Sequence, residues 1–443
     1  MNSAPDALAQ AVARSASVAE CVIGVGVLAQ TGAVYLRQFG TGPACLIADQ
    51  ATWQAAGAAV EAALQASGIA TRRHILPALP RPKPTLDLAT ALSEVLAQDN
   101  ANPVAIGSGV INDLVKHAAF TLDRAYLCVA TAASMDGYTS AGSPLSVKGF
   151  KKTLQCRPAR VVLGDLAVIA AAPRAMTGWG YGDLAGKVPA GADWILADAL
   201  GIEAIDDLAW PMVQDNLRHW LVDPQAIAAG DPAAIAGLFA GLTMGGLAME
   251  AHGTSRPASG ADHQIAHLWE MEDLTFDGER VSHGACVAVG TSMTLRMWDW
   301  LLAQDLARLD VAALVARAPD LAGAARGVAA ALGAGEIAQR ATVETLAKHL
   351  DGADLTARLT RLIAVWPDLR KRLRAHLMPA DQMRQALHLA GAPSDAAEIG
   401  VTRHDLRRVT LAARYLRSRY TLLDVLAEAG LLEQAVEAAL PLA

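Results

Sequence analysis

Apolar positions come in short, β-branched runs over the first third of the chain and in longer stripes of helical spacing after it. CVIGVGVL (21–28), PACLIAD (43–49), TRRHIL (71–76), PVAIGSG (103–109), AYLCVAT (125–131) and ARVVLGD (159–165) have the length and turn-bounded edges of strands. Between them ATWQAAGAAVEAALQASG (51–68), a stretch near 86–98 and INDLVKHAAF (111–120) repeat their apolar residues at helical intervals. Strands joined by helices predict a parallel α/β sheet. Beyond about residue 173 the strand signals fade. Helical periods then run to the end, punctuated by Pro and Gly near 189–191, 229–232, 253–260 and 391–393. The pattern predicts an α/β domain over 1–173 and an all-α domain over 174–443, with the ligand cleft between them. PALPRPKP (77–84) reads as a surface crossover, and no internal repeat is visible.

Composition narrows the function classes. A chain of 443 residues exceeds one typical core. Its apolar fraction of 53% is ample for packed interiors, and the abundant alanine favours helices. A net charge of −7 argues against a nucleic-acid partner, though not against a small anion in a local basic pocket. The five cysteines are odd in number, scattered, and form no C-x-x-C, as expected in a reducing cytoplasm. The N-terminus lacks the apolar core of a signal peptide. PAAIAGLFAGLTMGGLAM (232–249) is long enough to span a bilayer. Its Gly and Ala transfer weakly into lipid, so a buried helix is expected there.

Five stretches carry candidate chemistry. In GSGVINDLVK (107–116), Gly107 and Gly109 let backbone amides approach a phosphate where a strand opens into a helix. Position 112 is Asn, so the G-x-G-x-x-G dinucleotide fingerprint is absent, and a tight strand-to-helix turn explains the glycines equally well. In ATAASMDGYTSAGSPLSVKGFKKT (130–153), the hydroxyls of Thr131, Ser134, Ser140 and Ser143 surround Asp136, a possible acceptor for a substrate hydroxyl. Lys148, Lys151, Lys152 and Arg157 follow as a basic group, suited to a phosphate or simply solvated. GWGYGDLAGK (178–187) places Asp183 in a glycine-rich turn entering a helix, as a cap or as a metal ligand. SRPASGADHQIAHLWEM (255–271) sets His263 and His267 four residues apart, on one helix face. VSHGACVAVGT (281–291) brings His283 before a helix of small residues. Asp183, His263 and His283 form a possible ligand set, since one carboxylate and two imidazoles suit zinc, nickel or iron and leave positions open for a substrate oxygen. His267, one turn past His263, could face the substrate as a proton relay. The distant histidines are given no role.

Taken in order, these motifs resemble the glycerol-1-phosphate dehydrogenase family, AraM-like branch. That family falls in the superfamily of iron-type alcohol dehydrogenases, glycerol dehydrogenase and dehydroquinate synthase. AGAPSDAAEIG (390–400) and LRSRYTLLDVL (416–426) add to the likeness. The resemblance implies the dehydroquinate synthase-like fold, and a homodimer is expected because an apolar helical domain of this size often supports one. Asp183, His263 and His283 would hold one divalent metal, zinc before nickel or iron. His267 and Asp136 would contact substrate, and Asp183 as well. Gly107, Ser108, Gly109 and Asp113, with Thr131, Ser134 and Ser140, would bind the nicotinamide nucleotide. Asp49 would accept from the adenosine ribose, where a carboxylate repels a 2′-phosphate and favours NAD over NADP.

The chain departs from the family at Ala266, usually a polar residue, at LGDLAVI (163–169) and at GACVAVGT (284–291), none of them a catalytic group. The implied activity is the interconversion of dihydroxyacetone phosphate and sn-glycerol 1-phosphate by hydride transfer, with Lys148 to Lys152 and Arg256 as candidates for the phosphate. The rivals are a dehydrogenase of glycerol or another polyol, a dehydroquinate synthase-like lyase that uses NAD transiently, and a non-catalytic phosphometabolite sensor.

Overall fold

The computed structural model describes residues 4–77, 81–147 and 150–440. They form two compact units, each discontinuous along the chain. The first holds Met1–Leu184, Leu208–Ser255 and Leu389–Gly391; the second holds Ala185–Asp207, Arg256–His388 and Ala392–Ala443.

The first unit is built on the strands β1 (Glu20–Gly24), β2 (Ala44–Asp49), β3 (Thr71–Leu76), β4 (Asn102–Gly107), β5 (Leu127–Ala130) and, after a hairpin, β8 (Val161–Asp165). All six pair in parallel, in the order β1-β8-β5-β4-β2-β3. The inner strands are buried almost throughout, which is why they read as unbroken apolar runs and not as alternating ones. Leu46, Ala48, Val104, Ile106, Leu127, Val129, Val161 and Leu163 share one core with Val34, Tyr35, Val60 and Leu64 from the covering helices. From β2 the chain steps outward to β3. It then returns to β4 on the other side of β2 and proceeds in the opposite direction through β5 to β8. In an open α/β sheet ligands bind outside the carboxyl ends of the strands at such a reversal. Asp49 and Gly107 stand at those two ends.

One segment departs from the sequence reading. The hydroxyl- and lysine-rich stretch, in which the sequence pattern marks no strand, contains an antiparallel hairpin, β6 (Gly142–Val147) with β7 (Phe150–Gln155). Its Ser, Pro and Lys content lacks the apolar alternation of a half-buried strand, since only Ser143 and Leu145 of β6 face inward. Lys148 lies outside the described residues, as does the side chain of Lys151.

The apolar run at 232–249 is the helix Pro232–His252, started by Asp231, whose carboxylate accepts from the amides of Ala233 and Ala234. By length and composition it could cross a membrane, and 61% of its apolar window is buried inside the protein. It packs on the helices Ala4–Arg14, Leu166–Ala170 and Ala209–Gln214, which draws the segment from Leu208 back into the first unit.

The second unit is helical apart from a two-stranded ribbon, Thr275–Phe276 with Glu279–Arg280. At its centre the helix Ala261–Met271 lies against the helix His283–Leu302. Gly290 allows that approach, because a Cβ there would collide with the carbonyl of Asp262.

Candidate active site

In the first unit the nucleotide-type residues gather at the carboxyl edge of the sheet. Gly107 ends β4, and any Cβ on it would come within 2.5 Å of Ile111 Cβ, so the turn requires glycine. A Cβ at Gly109 would touch only Met135, at an ordinary 3.5 Å, so the protein itself does not demand glycine there. Ser108 is the extended N-cap of the helix Gly109–Thr121, and its side chain makes no capping bond. The Thr131 amide donates to the Gly107 carbonyl at 3.2 Å and ties the end of β5 to the end of β4. Asp49 caps the next helix: its Oδ1 accepts from the Thr52 amide at 2.8 Å.

Asp113 is buried with its Oδ1 3.6 Å from Lys116 Nζ. Lys116 is fully buried and donates to the carbonyls of Gly137 and Gly142, at 2.6 and 2.9 Å. Sequence reasoning overlooked this lysine, whose helical spacing resembles that of any solvated one. It joins the glycine-turn helix to the loop 131–142, which carries Ser134, Asp136 and Ser140. The Ser140 hydroxyl donates to the Gly137 carbonyl at 3.3 Å, and the Ser143 hydroxyl to the Asp113 carbonyl at 2.8 Å.

The stretch around Asp183 corrects the sequence reading. Instead of a turn entering a helix, GWGYGD is itself helical within Arg174–Ala185, and Asp183 stands in its last turn. Glycine is needed in mid-helix because a Cβ at Gly180 would overlap the Ala133 carbonyl. This helix and the loop 131–136 therefore touch backbone to backbone. Asp183 is fully buried and accepts from the Asp136 amide at 3.0 Å. A carboxylate in the last turn of a helix opposes the helix dipole, so capping does not explain its presence. The same loop rests on the helix Pro232–His252, where Gly246 makes room for Thr139 and the Asp136 carbonyl, and Thr139 donates to the Thr243 carbonyl at 2.7 Å.

In the second unit His263, His267 and His283 meet, with ring centroids 5.4 to 5.9 Å apart. His263 Nδ1 lies 2.6 Å from Asp262 Oδ2, and His283 Nδ1 lies 3.0 Å from Glu270 Oε1. With a carboxylate oxygen as its acceptor, each Nδ1 is the donor, and Nε2 keeps a lone pair that could bind a metal. Burial holds the pKa of His267 well below the usual imidazole range; Glu270 opposes the shift, while Arg417 and the two neighbouring imidazoles add to it. His267, Glu270 and His283 also offer ligand atoms within 4.8 Å of one another. Asp262 and Glu270 escaped the sequence reading. Glu270 follows His263 and His267 on one helix face, seven and three residues on, but a glutamate there reads as solvated until its burial is known.

The lead SRPASG has a structural role. Arg256 is fully buried; its Nη1 and Nη2 donate to the carbonyls of Tyr420 and Asp193 at 3.0 and 2.9 Å, and its Nε faces Glu203 at 3.2 Å. That guanidinium is held inside the protein by two carbonyls and an ion pair, which speaks against Arg256 as a phosphate ligand. Asp193, pushed up to about 7 by burial, accepts from the amides of Ala261 and Leu422 at 2.7 and 2.8 Å. Together these two residues fix the start of the His263 helix. Arg157 is likewise occupied, in a surface ion pair with Asp123 at 2.6 Å.

Residues 22–173 match the family model for iron-containing alcohol dehydrogenases. A glycerol-1-phosphate dehydrogenase [NAD(P)+] of Bacillus velezensis is 35% identical over 244 residues, 55% of this chain and 62% of that protein, so the alignment takes in less than two thirds of its length. One from Bacillus licheniformis is 31% identical over 66% of this chain and 73% of its own. Among solved structures, glycerol dehydrogenase from Schizosaccharomyces pombe shares the fold at a TM-score of 0.58 and 15% identity, covering 96% of this chain and 91% of that one. The chain belongs to the glycerol-1-phosphate dehydrogenase family.

Proposed function

We propose that this chain is a metal-dependent, NAD(P)-linked oxidoreductase that interconverts dihydroxyacetone phosphate and sn-glycerol 1-phosphate. The observation that carries the reading is the pair His263 and His283, each turned by a buried carboxylate so that its Nε2 offers a lone pair. Asp183 completes the ligand set. When bound, a divalent ion polarises the C2 carbonyl and the reduced nicotinamide supplies a hydride.

The chain's own residues do the rest. Gly107, Ser108 and Gly109 present the amides of a helix N-terminus to the nucleotide's phosphates, supported by Asp113, Thr131, Ser134 and Ser140. Asp49, at the end of β2, accepts from the adenosine ribose and favours NAD over NADP. Asp136 orients a substrate hydroxyl. His267, neutral because it is buried, passes a proton to the nascent alkoxide from one nitrogen while accepting at the other. Zinc suits a one-carboxylate, two-imidazole set, and nickel and iron accept the same donors. The same reading places the enzyme in the cytoplasm as a homodimer.

The test is NADH oxidation by zinc-reconstituted protein, with dihydroxyacetone phosphate and dihydroxyacetone in parallel. Turnover of the phosphate ester and not the free ketone is expected, with chiral analysis of the product giving sn-glycerol 1-phosphate. Equal or better turnover of the free ketone would make it a polyol dehydrogenase. No net NADH turnover, in protein shown to hold metal and nucleotide, would overturn the reading in favour of a lyase.

A further inference from the structure

We propose that Met135 is a contact residue for the nicotinamide half of the dinucleotide, an inference that rests on the function just proposed. Met135 lies in the loop that leaves β5, and β5 pairs with β4, whose end forms the phosphate turn. Its side chain runs back onto that turn. The three atoms nearest to a Cβ built on Gly109 are Cγ, Cε and Sδ of Met135, at 3.5, 3.5 and 3.9 Å. The same thioether rests on Gly137, where a Cβ would come within 2.8 Å of Sδ, and the Gly137 amide donates to Sδ at 2.8 Å. Two glycines thus bare their backbone to one flexible side chain and give it a fixed address.

Met135 is partly exposed, whereas Ser134 and Asp136 on either side of it are buried. The loop has little freedom to tuck the thioether elsewhere. The Asp136 amide donates to Asp183 at 3.0 Å, and the Tyr138 hydroxyl donates to the Ala132 carbonyl at 2.7 Å. An apolar arm is therefore held against the phosphate turn with part of its surface open for a ligand to cover.

The proposed function sets which part of the ligand that is. The turn Gly107–Gly109 receives the phosphates, and hydride transfer needs the nicotinamide beside the substrate whose hydroxyl Asp136 orients. Met135 precedes Asp136 in the chain and touches Gly109, so it spans the interval between those two positions. A polarisable thioether packs favourably against an aromatic ring. The group it meets is therefore the nicotinamide riboside end of NAD(H) and not the adenosine, which falls to Asp49 at the end of β2.

The experiment titrates wild type, Met135→Ala and Met135→Leu with NADH and with AMP. In Met135→Ala, NADH is expected to bind about 10-fold more weakly, the scale of the lost apolar and sulfur–ring contact. AMP carries no nicotinamide and is expected to bind as in wild type, which also reports an intact fold. Met135→Leu keeps the apolar bulk and recovers most of the loss. A second measurement needs no variant. Hydrogen peroxide transfers one oxygen atom to the thioether, leaving the sulfoxide and water, and peptide mass spectrometry follows the product. With NAD+ at about 10 times its Kd, oxidation of Met135 slows about 10-fold by occupancy. Met212, also partly exposed and on the helix Ala209–Gln214, is oxidised at an unchanged rate. Wild-type NADH affinity in Met135→Ala, equal weakening of NADH and AMP, or oxidation of Met135 as fast with NAD+ as without it would overturn the contact and leave the proposed function standing. A wild type that binds neither NADH nor AMP would overturn both. Should Met135→Ala not fold, peroxide protection in wild type decides.

Discussion

Glu270 and Asp262 decide which nitrogen of His283 and of His263 keeps a lone pair, and neither carboxylate could be selected from the sequence. His263, His267 and His283 were legible because four-residue spacing and a flanking small-residue helix mark them. A carboxylate that orients a histidine differs from a solvated one only in burial, which spacing does not encode. The distinction has a measurable consequence. In Glu270→Gln the acceptor for His283 Nδ1 loses its charge while the shape is kept. Metal affinity, measured by chelator competition, is expected to fall about 10- to 100-fold with the fold intact. His263→Ala removes a ligand and is expected to lose metal on dialysis, whereas His267→Ala keeps metal and loses rate. Full metal occupancy in His263→Ala would sink the ligand assignment. Arg256 shows the opposite limit: in the sequence it is a cation beside two histidines, and only its three internal partners show that it is a strut.

At the scale of elements, periodicity located the parallel strands and their helices well, because buried strands and amphipathic helices have distinct repeats. It failed where an element is stabilised by close backbone approach or by polar bonds. The helix Arg174–Ala185 contains Gly178, Gly180 and Gly182, poor helix formers, and is held because Gly180 lets it lie on the Ala133 carbonyl. The hairpin of β6 and β7 has little apolar alternation, and Lys116 helps anchor its first strand through the Gly142 carbonyl. Replacing Lys116 by Met retains the length and removes both bonds, leaving the Gly142 carbonyl without its lysine donor and the Gly137 carbonyl with only Asn112 and Ser140, each at 3.3 Å. A loss of about 2 to 4 kcal/mol in denaturant unfolding is expected. NADH affinity is expected to weaken as well, since the loop that carries Thr131, Ser134 and Asp136 loses its tether to the helix Gly109–Thr121. Unchanged NADH binding in a measurably destabilised variant would show that the loop's order does not matter to the nucleotide.

At the scale of the whole molecule, the sequence conveyed a sheet-bearing part followed by a helical part but not their interleaving, because a chain that returns to an earlier unit leaves no compositional mark. Leu208–Ser255 belongs with the sheet-bearing unit, where the helix Pro232–His252 packs on Ala4–Arg14 and Leu166–Ala170 and the Tyr181 hydroxyl donates to the Leu221 carbonyl. The proposed ligands are likewise dispersed along the chain. A metal that binds the folded protein and not the unfolded chain stabilises it by mass action, by about 2.7 kcal/mol when free metal stands at 100 times its Kd. Melting of metal-stripped protein should therefore shift upward with added zinc, and the shift should grow with the logarithm of concentration. In His263→Ala the same additions should leave the melting temperature where it was. A wild-type-sized shift in that variant would mean that zinc binds elsewhere on the fold, and the stability effect would then say nothing about the site around His263.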